Sequence, residues 1–106
     1  MRIYVAGRMT GLRDHGKESF KGAQDKLEDN GWDVVNPYAL GTMGLKYGDP
    51  YFYPKIMRRD FEQLQTCDAI YMLHGWEHSP GASCEHAFAK IFGKQVFYEA
   101  PLPEID

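Results

Sequence analysis

Two carboxylates in this sequence stand among apolar neighbours. In "YFYPKIMRRDFEQLQTC" (51 to 67), Tyr53, Ile56, Met57, Asp60, Leu64 and Cys67 recur at helical spacing, so Asp60 interrupts an apolar stripe. Burying an unpaired carboxylate is costly, so this position needs a partner, a raised pKa or a ligand. Arg8, another cation or a place at the rim of the stripe would each meet that need. Glu85, in "HSPGASCEHA" (78 to 87), shares the i+3 and i+7 face with Phe88 and Phe92. It is expected in the first turn of its helix, where the helix dipole favours a negative side chain by about 0.3–1 kcal/mol. Two carboxylates meeting at one site suit glycosidic-bond chemistry. One attacks or stabilises an oxocarbenium-like carbon while the other manages protons.

Ahead of Glu85, Ser79 and Gly81 supply a hydroxyl and backbone N–H groups at a helix start, a seat for a phosphate or carboxylate. Ser79 or Ser83 would equally serve as a plain N-cap. The cations between Lys55 and Arg59 read as a solvated helix face or an anion contact. Cys67, His74, His78, Cys84 and His86 follow no standard zinc spacing, so no metal is expected. Ser-His-Asp catalysis lacks a nucleophile elbow.

These residues need a frame. "RIYVAG" (2 to 7) reads as a buried strand, and a turn containing Gly7 and Gly11 follows. Residues 17 to 30 place Phe20, Ala23 and Leu27 on one helical face, ended by Gly31. "WDVVNP" (32 to 37) is a second strand, and the stretch from Pro37 to Pro54 is a long aromatic-rich loop of functional character. A helix from about Tyr53 to Cys67, the strand "AIYML" (69 to 73), a helix from about Ala82 to Phe92 and the strand "QVFYE" (95 to 99) complete the chain. In the last helix, Cys84, Ala87, Phe88, Ile91 and Phe92 form the expected apolar face.

Strands alternating with helices imply an α/β, flavodoxin- or Rossmann-like three-layer sandwich with a parallel sheet of about four strands. Right-handed crossovers and one reversal of winding predict the order 2-1-3-4. Ligands in such sheets bind outside the carboxyl ends of the strands. That edge collects Gly7 to Gly11, the loop after Asn36, and residues 74 to 85.

Composition narrows the partners. At 106 residues, with 43% hydrophobic and 25% charged side chains, the chain fits one soluble domain. Its 12 basic and 15 acidic residues, net −3, offer no broad cationic surface for a nucleic-acid polymer. Unpaired cysteine spacing, together with no signal peptide and no membrane-length apolar run, leads us to expect a cytoplasmic protein with reduced, buried thiols.

"IYVAGRMTG" (3 to 11), "RRDFEQLQTCDAIYML" (58 to 73) and "SPGASCEHAFA" (79 to 89) resemble, in order, the three signature segments of the nucleoside 2-deoxyribosyltransferase superfamily, which also includes nucleoside 5′-monophosphate N-glycosidases. The resemblance implies a nucleophile at Glu85, an assisting carboxylate at Asp60, and a tyrosine at Tyr4 that positions the nucleophile or the sugar. It places substrate against Gly7, Arg8, Met9, Ser79 and Gly81. The superfamily's nucleotide hydrolases carry a serine six residues ahead of the glutamate to hold the 5′-phosphate, and Ser79 has that spacing from Glu85. The chain departs from them at Arg8, where they resemble "G-S", and at Thr10, where they tend to have arginine. Arg8 would then supply the phosphate's cation from a shifted position.

The resulting expectation is hydrolysis of the N-glycosidic bond of a (2′-deoxy)nucleoside 5′-monophosphate without a cofactor. Tyr47, Tyr51 and Phe52 or their neighbours are candidates for stacking on the base or for anchoring the loop. Transfer of deoxyribose to another base and non-catalytic nucleotide binding are the competing readings. A homodimer or higher homo-oligomer is expected, because the superfamily borrows site residues from a neighbouring subunit and an apolar helix face lacks cover.

Overall fold

Side-chain parity along two strands divides the molecule into layers. In β1 (Arg2–Ala6), Ile3 and Val5 point to one side of the sheet while Tyr4 and Ala6 point to the other. In β3 (Ala69–Met72), Ala69 and Tyr71 join the first group and Ile70 and Met72 the second. The computed structural model describes residues 1–9, 11–46 and 48–100, so Thr10 and Tyr47 lie outside the described residues. Its sheet is parallel throughout, with β2 (Asp33–Val35) and β4 (Gln95–Tyr98) at the edges and the order 2-1-3-4 expected from the sequence.

One face of the sheet is covered by α1 (Lys17–Asp29) through Phe20, Ala23 and Leu27, as the spacing predicts. Gly31 closes this helix at φ 90°, a conformation that costs glycine little, and Trp32 N–H reaches back to the Leu27 carbonyl. The other face carries α2 (Phe52–Gln65) and α3 (Pro80–Ile91). No helix among the described residues is long and apolar enough to cross a membrane.

Five expectations are corrected. α3 starts earlier than expected because Ser79 caps it and Pro80, with its preset φ, occupies the first helical position. Glu85 therefore stands in the second turn, and no acidic residue occupies the first. The face of α3 turned to the sheet is Ala82, Glu85 and Ala89, not the Cys84, Ala87, Ile91 and Phe92 stripe. Both sets satisfy a helical period. The small alanines let the helix lie close to the sheet, leaving Ile91 78% and Phe92 62% exposed. Cys67 is buried as expected, but Cys84 is exposed. On α2 the buried aromatic is Phe52 rather than Tyr53, which is 52% exposed.

Candidate active site

Tyr4 lies on the sheet face that α2 and α3 cover, and this places its hydroxyl between the two carboxylates. It donates a short hydrogen bond to Glu85 Oε2 and also reaches the Asp60 carboxyl. All three side chains are buried. Burial raises Glu85 to about 8; the Tyr4 hydrogen bond opposes that rise and the nearby Asp60 charge adds to it. Burial likewise raises Asp60, against the pull of Arg59 and Tyr4. Tyr4 itself is held well above the usual phenol range by burial and by the two acids beside it. At neutral pH the trio holds a proton that separate carboxylates in water would have lost, and that proton belongs to the pair.

Asp60 has a cationic partner, and it is Arg59 rather than Arg8. Nε and Nη2 of Arg59 donate to Asp60 Oδ1 at 3.1 and 2.9 Å. The remaining donors reach the carbonyls of Gly41, Leu40 and Pro37 in the turn after β2. Sequence reasoning read the cations from Lys55 to Arg59 as a solvated helix face or an anion contact. The Arg59 side chain is only 15% exposed. The available signal was its place beside Asp60, but neighbours in a helix project about 100° apart, so adjacency does not ordinarily predict pairing.

The trio lies in a cleft of about 1130 Å³ beside the carboxyl ends of β1 and β3. Gly7, Arg8, Met9, Ser79 and Gly81 line it with Tyr4, Asp60 and Glu85, so these eight residues meet there. Two of them have structural duties as well. A Cβ on Gly7 would sit 2.8 Å from Leu73 Cβ, so glycine allows β1 to end against the end of β3. Ser79 Oγ accepts from Ala82 N–H at 3.2 Å, the N-cap role, and retains its own O–H to donate. Arg8 curls over Gly11, where an added Cβ would come within 2.8 Å of Nη2.

Of the loop aromatics, Phe52 lines the cleft and Tyr51 does not. Tyr53, a neighbour of Phe52, and Tyr38, not assigned to the site from sequence, supply aromatic wall, and His15 and His78 add imidazoles. The β2–α2 loop is what folds Tyr38 into place: Asn36 Oδ1 accepts Tyr38 N–H at 3.0 Å and Asn36 Nδ2 donates to Gln24. Among the described residues, no three His, Cys, Asp or Glu side chains converge as a metal site.

Residues 1–98 match a family model described as "Domain of unknown function (DUF4406)". The chain belongs to this family. No curated protein matches the DUF4406 chain at a significant level. Among solved structures, it is similar to the 2-deoxyribosyltransferase of the psychrotolerant bacterium Bacillus psychrosaccharolyticus, with a TM-score of 0.78 and 21% identity over 100% of this chain and 77% of that one. At that identity the DUF4406 chain shares the fold of the transferase. Function has to be argued from the site.

Proposed function

We propose that this protein cleaves the N-glycosidic bond of a (2′-deoxy)nucleoside 5′-monophosphate, with Glu85 as nucleophile. The observation that carries the reading is a buried tyrosine hydroxyl bridging two buried carboxylates in a cleft of about 1130 Å³. In the first step Glu85 attacks C1′ as the C1′–N bond breaks, and Asp60 gives its proton to the departing base. In the second, Asp60 takes a proton from water, which attacks C1′ and releases Glu85 as a carboxylate, with retention. Tyr4 donates to the Glu85 carboxylate before attack and after release. No step calls for a cofactor.

Ser79, Gly81 and the start of α3, with Arg8 of the same cleft, would hold the 5′-phosphate. Deoxyribosyl transfer to a second base is the other reading, and the fold it shares with a 2-deoxyribosyltransferase favours it. Residues 1–106 are read as one nucleoside deoxyribosyltransferase-like domain. The free thiols of Cys67 and Cys84 suit a cytoplasmic setting. The exposed Ile91 and Phe92 suit a homodimer or higher homo-oligomer, to be checked by light scattering.

The test is incubation with ribo- and deoxynucleoside monophosphates and the corresponding nucleosides, following free base by chromatography and labelled-base exchange. Release of base from monophosphates that Glu85→Ala abolishes is the expected outcome. Exchange without net release moves the assignment to transfer. Tight binding with no release or exchange moves it to a binding module.

A further inference from the structure

Every nitrogen of the Arg59 guanidinium, which lines the cleft, has a hydrogen-bond partner. A guanidinium carries five N–H donors in a rigid plane. Here Nε bonds Asp60, Nη2 bonds Asp60 and Pro37, and Nη1 bonds Leu40 and Gly41, the contacts to Leu40 and Pro37 being the long ones at 3.4 and 3.5 Å. Both bonds to Asp60 end on Oδ1. An oxygen that accepts from a cation twice is the poorer place for a proton, so a proton on Asp60 resides on Oδ2. The three carbonyls belong to the turn whose Pro37, Tyr38 and Gly41 form one wall of the cleft. That turn is pinned at its start by Asn36, and Arg59 pins its far end.

We propose that Arg59 is the positioning residue of this site: a single guanidinium orients the Asp60 carboxyl and latches the 37–41 turn, so that closure of the cleft wall and presentation of Asp60 are one event. The inference rests on the reading of Asp60 as the acid that protonates the leaving base. Giving up that proton leaves an anion in a buried place, and Arg59 is the charge that receives it. The groups facing Asp60 are Tyr4 from β1, Glu85 from α3 and Arg59 from α2, with Arg8, His15 and His78 lining the same cleft. Among them only Arg59 forms an ion pair with Asp60. Lysine could supply the charge but not the planar fork.

The experiment compares wild type, Arg59→Gln and Arg59→Lys without substrate, by two measurements. Carbon-13 NMR follows the titration of the Asp60 carboxyl, and hydrogen exchange follows the Tyr38 to Gly41 amides against the Leu27 amide in α1. The expected result is an Asp60 midpoint that rises in Arg59→Gln and returns towards wild type in Arg59→Lys. Exchange in the turn is expected to quicken by about tenfold or more in both variants, with Leu27 unchanged. An unmoved midpoint in folded Arg59→Gln overturns the proposal. So does turn exchange that stays at the wild-type rate, or that quickens only in step with Leu27. If Arg59→Gln does not fold, Arg59→Lys decides by the turn amides alone. Should wild type release no base from any nucleoside or nucleotide while these shifts appear, the glycosidic reading falls and the latch stands.

Discussion

The two faces of the sheet have the same alternation and different contents. The α1 face is filled by Ile3, Val5, Phe20, Ala23, Leu27 and Ala69, with no ionisable carboxylate among its buried residues. The α2/α3 face has an equal share of apolar packing, in Leu64, Ile70, Met72 and Ala89, but Tyr4, Asp60 and Glu85 are set into it. Buried acids weaken a core. Their presence on one side only separates the layer that holds the fold from the layer that holds the proposed site.

The largest test of that division is Glu85→Gln, which is expected to lower base release by about 1,000-fold or more, read as initial rate against wild type. The same change should strengthen the fold. Glu85 is raised from 4.5 to about 8, so the native protein binds a proton over that window which the unfolded chain has lost. Its contribution to stability is therefore full below the unfolded value and is lost as pH rises through the folded one. Urea midpoints of wild type should fall across this window relative to Glu85→Gln, with the gap widening towards alkaline pH. Parallel curves for the two proteins would erase the contrast between the faces.

Next in size is Leu27→Ala on the α1 face, expected to cost about 2–5 kcal/mol in urea unfolding while leaving the turnover of the folded fraction unchanged. A loss of turnover without a loss of stability would show that the face is not merely structural. Tyr4→Phe follows. It removes the hydrogen bond that holds Glu85 down, so the ascending limb of kcat/KM should move to higher pH and the rate near neutrality should fall about tenfold or more. The smallest effect is expected from Ser79→Ala, about 0.5–2 kcal/mol of stability through the lost cap, with KM rising for monophosphates and not for nucleosides. Equal KM changes for both substrates would remove the phosphate assignment and keep the cap.

How far these arrangements were legible depended on whether one period or two fitted the residues. Phe20, Ala23 and Leu27 make the only apolar face available to α1, and they are buried. In α3 the spacing allowed two faces, and the larger side chains of Ile91 and Phe92 pointed to the wrong one. Helix phase there depends on the fit of Ala82 and Ala89 to the sheet, which no count of apolar residues contains. Arg59 was hidden for a similar reason: its five hydrogen bonds run to Asp60 and to a turn about twenty residues earlier in the chain. Within Glu85's own helix, the early start set by Ser79 and Pro80 moved it out of the first turn, where the dipole favours the carboxylate, and burial raises its pKa instead.

By itself, the sequence determined the strands, their order, and which chemistry-bearing residues would gather at the strand ends. Strand alternation and crossover handedness are local rules and gave the sheet, whereas Tyr4 was singled out only by the resemblance of "IYVAGRMTG" to a family segment. Only the tertiary structure decided the charge states. Burial, the shared tyrosine and the Arg59 fork set the affinity of each carboxylate for its proton, and each of these is a contact between segments distant in the chain or held in place by them.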